Sequence, residues 1–190
     1  MINKNKKLII DFIDYYNHPQ KIIEILNGVK KFIKSTKNKF DIEIFSFCPD
    51  LTKNKNYLET VIQNSKLKNE KIIIKTNFSD VKNFLDQFKT ADISVNMRYH
   101  GALLSMVYGI PSVNIIYDIH PHYPNKMNYL AKIFKKEKYF INFTNVNSKN
   151  IEKILLKANL NQTIIHKSLI KKEKQIKLEL EKNYKQIFKK

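Results

Sequence analysis

Two residues set the chemistry open to this chain. Arg98 and His100 lie two positions apart, and Arg98 is the only arginine; every other basic residue apart from the histidines is lysine. A guanidinium is a planar, two-pronged donor that fits carboxylate and phosphate oxygens as an ammonium does not. An imidazole can give or take a proton near neutral pH. In extended backbone, residues i and i+2 face the same way, so both side chains would point into one crevice. The pair reads as a site for a small anion with a proton carrier beside it. Each residue also has an ordinary structural use: an arginine can close a strand end or pair with a carboxylate, and a lone histidine is often a packing residue.

The surrounding stretch, ADISVNMRYHGALLSMVYGIPSVNIIYD, contains the elements that must position the pair. Ala91 to Asn96 reads as a strand, Gly101 to Tyr108 as a short apolar helix, Gly109-Ile110-Pro111 as a turn and Ser112 to Tyr117 as a second strand. Arg98 and His100 fall where the first strand hands over to the helix. In an open α/β sheet that carboxyl end is where ligands bind. A helix N-terminus there adds unpaired N–H groups and a partial positive charge, which suits an anion. Tyr117 closes the following strand and can line the same crevice. Lys126 opens the next helix, where a cation opposes the helix dipole; a nearby anionic ligand would account for it, and so would an ordinary surface lysine. Asp118, His120 and His122 have metal-ligand residue types, but their spacing is loose and the loop carries prolines, so no metal site is expected.

The rest of the chain alternates strand and helix. Strands are expected at Lys7–Ile13, Asp41–Cys48, Lys71–Lys75 and Tyr139–Phe143. Between and after them come helices at Gln20–Lys34, Asn56–Ser65, Val81 to about Thr90 with Ser79 as N-cap, Lys126–Phe134, Ser148–Ala158 with Ser148 as N-cap, and a lysine-rich terminal helix over Ile164–Phe188. Asp14 to Pro19 is a polar, aromatic loop. Strand–helix alternation repeated about six times predicts an α/β fold: a parallel, Rossmann-like sheet with helices on both faces.

Composition narrows the function classes. At 190 residues one domain is the natural count. The formal charge of +18 is spread along the chain beside abundant asparagine, and no nucleic-acid motif accompanies it, so no nucleic-acid partner is expected. With three glycines, neither G-x-G-x-x-G nor the P-loop pattern is present. G-x-S-x-G is absent too, which argues against an α/β-hydrolase, and no close carboxylate pair marks a glycosidase. The single cysteine, Cys48, sits in an apolar run and reads as a buried thiol. One cysteine, no secretory leader and no membrane-length apolar run suggest a cytoplasmic protein, with a lysine surface suited to a peripheral place at the inner membrane face.

Arg98-Tyr99-His100-Gly101, then Gly109-Ile110-Pro111, Tyr117 and Lys126, resemble the polysaccharide pyruvyl transferase family. That family has a strand, an Arg-x-His motif opening an apolar helix, a G-x-P turn, a strand ending in Tyr and a lysine-led helix. The resemblance implies the C-terminal Rossmann-like domain of a GT-B-type architecture. On it, residues 1–162 form the donor-binding domain, residues 163–190 a helix packed on it, and the family's N-terminal domain is missing. It implies phosphoenolpyruvate as donor substrate with no other cofactor, and a glycan or lipid-linked sugar acceptor that becomes a pyruvate ketal of a cell-surface polysaccharide. Arg98 and His100 would be the catalytic pair and would bind substrate together with Gly101, Tyr117 and Lys126. A second chain supplying the N-terminal domain belongs to the same picture. In the family the lysine follows the tyrosine closely, whereas Asp118 to Asn125 intervene here. Two other functions fit the same half-fold: a nucleotide-sugar glycosyltransferase of GT-B type, and a non-catalytic subunit completing another chain's cleft.

Overall fold

The computed structural model describes residues 5–13, 18–36, 38–46, 51–75, 81–119 and 124–187. Six strands form one parallel sheet: β1 (Lys6–Phe12), β2 (Phe40–Ser46), β3 (Ile72–Lys75), β4 (Ile93–Asn96), β5 (Ser112–Ile116) and β6 (Phe140–Asn142). Their order is β3-β2-β1-β4-β5-β6, that of a doubly wound Rossmann sheet. The chain leaves β1 toward one edge and returns at β4 toward the other. The gap between the carboxyl ends of β1 and β4 is therefore the topological switch point.

Among the described residues, seven helices complete the alternation: α1 (Pro19–Ser35), α2 (Leu51–Gln63), α3 (Val81–Lys89), α4 (Tyr99–Tyr108), α5 (Pro124–Phe134), α6 (Ser148–Leu160) and α7 (Gln162–Ile187). In α1, Pro19 takes the first turn, where its missing N–H costs nothing, and Ile22, Ile25, Leu26, Val29 and Phe32 recur at helical spacing toward the core. Helix α1 packs on α6, and α4 packs on α5 and α7. Right-handed crossovers then put α1, α2 and α6 on one face of the sheet and α3 and α4 on the other.

Pairing gives the two faces different linings. In parallel register, Leu8, Ile10 and Phe12 of β1 share a side with Ile42 and Ile44, Ile93 and Val95, and Val113 and Ile115, all buried. The intervening residues face the other way. Ile9 and Phe45 meet Phe84 and Phe88 of α3 in a second, smaller cluster. The same face also carries a run of buried polar residues: Asp11, Glu43, Ser94, Asn96, Ser112 and Asn114.

Several boundaries differ from the sequence reading, each for a local reason. Helix α4 begins at Tyr99, two residues before Gly101, so His100 lies inside its first turn and not on extended backbone. Asn147, not Ser148, caps α6: its Oδ1 accepts from Asn150 N at 2.9 Å, while Ser148 N donates to Glu24 Oε2 at 2.6 Å. The last strand is cut to Phe140–Asn142 by short 3-10 turns on both sides. Helix α2 starts at Leu51 and ends at Gln63. Cys48, Ser79, His120 and His122 lie outside the described residues. Helix α7 buries Ile165 and Leu169 and half-buries Ile176; from Lys177 to Lys185 its side chains are exposed. Among the described residues, no helix is long and apolar enough to cross a membrane.

Candidate functional site

The site grows from the end of β4. Asn96 is the last strand residue, Met97 is buried, and Arg98 keeps extended backbone (φ −116°, ψ 151°) as the N-cap of α4. An arginine can only donate, so it gives no cap to the free N–H groups of the first turn, and no side-chain cap bond is formed. Ala102 N returns to Arg98 O at 3.1 Å and closes the first helical turn. The turn's positive end therefore faces the switch point with a guanidinium at its edge.

Beneath it lies a residue the sequence reading passed over. Asp11, near the carboxyl end of β1 and opposite Asn96, is 1% exposed. Neither carboxylate oxygen makes a hydrogen bond of normal geometry, although the backbone N–H groups of Gly101 and Arg98 lie near enough to favour its charged form. Burial pushes its carboxyl up to about 7, against the opposing pull of the Arg98 charge and those two N–H groups. Contact with α4 is close enough to require glycine. A Cβ on Gly101 would sit 2.1 Å from Asp11 Oδ2 and 2.8 Å from Asp11 Cβ. Gly101 is thus a spatial necessity, where the sequence showed only a helix start. In sequence, the sole hint of Asp11 was an acid interrupting an apolar strand.

A polar layer fixes α4 from below. Asn96 Nδ2 lies 2.8 Å from Asn114 Oδ1, 2.9 Å from Ser105 Oγ and 3.2 Å from Ser94 Oγ. Ser94 and Ser105 share a hydroxyl bond of 2.8 Å, and Asn114 Nδ2 donates to Ser112 Oγ at 3.0 Å. Ser105 Oγ in turn donates to Gly101 O at 2.9 Å. Two strands and the helix that carries Arg98 and His100 are joined by bonds whose directions fix their relative position. At the far end of α4, Gly109 takes the left-handed conformation (φ 69°), and its N–H returns to Ser105 O.

One pocket of about 350 Å³ holds Arg98, His100 and Gly101 together, walled by Val81, Phe84, Leu85, Leu103 and Leu104 from α3 and α4. Arg98 and His100 meet there because the backbone turns from extended to helical between them. His100 is exposed and its ring lies 5.8 Å from that of Tyr99. Tyr117 does not line this pocket. It stands after β5 in an aromatic group with Phe143 (5.1 Å) and His18 (6.4 Å), His18 being the residue before α1. Lys126 is exposed in the first turn of α5 and lies outside the pocket as well. Asp118 is engaged elsewhere, accepting from Thr144 N at 3.1 Å and Thr144 Oγ1 at 2.6 Å. Among the described residues, no group of three acidic, histidine or cysteine side chains could hold a metal.

Comparison with known proteins bears on the family and the fold. A family model described as polysaccharide pyruvyl transferase matches residues 2–119, from β1 through the residues after β5. No curated protein matches the sequence. Several solved structures share the fold. An O-GlcNAc transferase mutant from Thermobaculum terrenum superposes with a TM-score of 0.63 at 11% identity, over 96% of this chain and 36% of the other. A trehalose-6-phosphate synthase, OtsA, gives 0.59 at 11% identity over 91% and 40%. The α,α-trehalose-phosphate synthase (UDP-forming) of Burkholderia xenovorans gives 0.57 at 12% identity over 91% and 40%. These are GT-B glycosyltransferases, and at such identities the likeness shows the fold alone. The chain spans about two fifths of their length.

Proposed function

Since this chain belongs to the polysaccharide pyruvyl transferase family, we propose that it binds phosphoenolpyruvate at the N-terminus of α4 and serves its transfer to a sugar. The acceptor is a pair of hydroxyls on a cell-surface glycan or its lipid-linked precursor, and the product is a pyruvate ketal. The observation that carries this reading is the meeting of Arg98 and His100 in one pocket at the positive end of α4.

The chemistry asks for two things that this arrangement offers. Phosphoenolpyruvate is a compact anion with a carboxylate and a phosphate, and its recognition needs a forked donor next to backbone N–H groups. Its enol carbon must gain a proton, two C–O bonds must form to the central carbon and the C–O bond to phosphate must break. The two acceptor hydroxyls release two protons; one ends on the new methyl group and the other leaves with phosphate. In this reading Arg98 clamps the anion, and His100, which is exposed and lines the same pocket, holds the phosphate or passes a proton. The acceptor would approach from the open side of the pocket, with a facing unit completing the cleft.

Calorimetry with phosphoenolpyruvate and a panel of nucleotide-sugars, on wild type and Arg98→Ala, tests this. We expect saturable phosphoenolpyruvate binding that weakens by roughly 100-fold in the variant, the cost of ~3 kcal/mol for one charge-assisted bidentate contact. Binding of a nucleotide-sugar in place of phosphoenolpyruvate would move the chain to the glycosyltransferase reading.

A further inference from the structure

The mechanism above leaves Asp11 without a task, yet its position is tightly constrained. It is buried, its two oxygens lack hydrogen bonds of normal geometry, and Gly101 is kept bare to admit it. It approaches the same first turn of α4 that the pocket presents to solvent, but from the sheet side. Among the described residues its surroundings contain few charges. From α4 come Arg98 and, in the same turn, His100; from β2 comes Glu43, already ion-paired with Lys7 at 2.9 Å and Lys75 at 3.1 Å. Strand β4 presents Ser94 and Asn96, and α3 presents Phe84 and Phe88.

We infer that Asp11 is a proton-linked positioning residue: its carboxylate occupies the positive end of α4 from beneath while the site is empty, and it takes up a proton when an anion binds from above. This rests on the reading that the α4 N-terminus is the donor site. Two negative groups cannot both draw fully on one helix end and one guanidinium, so the arriving anion disfavours the charged form of the buried acid. By reciprocity, protonating Asp11 strengthens anion binding and ionising it weakens binding. Asp11 does not touch substrate. It sets the pH range in which the site accepts the donor and releases the phosphate product.

The test is the pH dependence of binding, with phosphoenolpyruvate and with oxalate, a dianion whose charge is constant over the range. In wild type the Kd for both should rise roughly tenfold between about pH 6 and pH 8.5, and in Asp11→Asn by less than about twofold. A histidine in the same pocket is the competing proton carrier. His100→Gln is therefore measured alongside, and it should keep the part of the slope that Asp11→Asn loses. A slope unchanged in Asp11→Asn, with phosphoenolpyruvate bound, overturns the inference and leaves the proposed function standing. An Asp11-dependent slope for oxalate without phosphoenolpyruvate binding upholds the inference and overturns the donor assignment. Failure of both anions to bind overturns both. Should Asp11→Asn not fold, carboxyl carbon NMR on wild type decides: the aspartate that titrates near neutral pH must shift its midpoint upward on adding oxalate, and a midpoint unmoved by the anion overturns the inference.

Discussion

The two faces of the sheet are made from the same strands, one residue out of step, and they differ in what they are for. On the α1/α6 face, Leu8, Ile10, Ile42, Ile44, Val95, Val113 and Ile115 are buried aliphatics with no polar partner to satisfy. Burying such side chains stabilises by about 1.5–3 kcal/mol each and tolerates small shifts, because dispersion is non-directional. On the α4 face, Asp11, Ser94, Asn96, Ser112 and Asn114 are buried polar groups, and all but Asp11 form one hydrogen-bonded layer with Ser105. Bonds of that kind add little net stability, since water satisfies the same groups in the unfolded chain. What they add is direction: they hold α4, and with it Arg98 and His100, at one position over the sheet. One face supplies stability, and the other gives part of it up to place a site.

The most severe way to break this contrast moves an acid by one residue. Ile10→Asp puts a carboxylate like that of Asp11 on the aliphatic face, with neither a guanidinium nor a helix end to meet it. The loss should exceed ~5 kcal/mol, and circular dichroism at neutral pH should show an unfolded chain. A folded Ile10→Asp protein would mean the two faces are not distinct in kind.

The converse change acts in the opposite direction. Because the Asp11 carboxyl is pushed up to about 7, the folded chain keeps a proton that the unfolded chain loses near pH 4. The contribution of Asp11 to wild-type stability should therefore fall as pH rises from about 4 to about 7 and level off above. Asp11→Asn removes that loss, so at pH 8 it should be more stable than wild type by roughly 2–4 kcal/mol, with little difference at pH 4. Urea unfolding at the two pH values reads this, and a variant less stable at pH 8 would show that Asp11 belongs to the stabilising part of the core.

A smaller effect sharpens the comparison at the contact itself. Gly101→Ala forces a methyl into the Asp11 carboxylate and should cost about 2 kcal/mol. Combining it with Asp11→Ala should recover most of that loss, because the space is returned. Non-additive unfolding free energies would confirm the contact, and strict additivity would show that α4 is held from elsewhere.

Much of this was legible from local pattern. Alternation of apolar runs with helical spacing is a property of neighbours in sequence, so six strands, the helices between them and the Rossmann-like class could be read directly. Arg98 and His100 stood out because of residue type and because a strand-to-helix junction is visible as a change of period. Boundaries moved by a few residues where capping decided them, as at Tyr99 and Asn147.

Residue types and their periodicity determined the class of fold, the location of the Arg98–His100 pair and the chemistry open to it. Tertiary structure alone decided that Asp11 lies against Gly101, that Asn96 bridges Ser105 and Asn114, that His100 turns into the Arg98 pocket through a helix, and that Tyr117 and Lys126 stand outside it. The physical reason is range. Periodicity is set by bonds between near neighbours, whereas these contacts depend on the pairing of β1 with β4 and on the depth at which α4 packs, and both are settled only when distant segments meet.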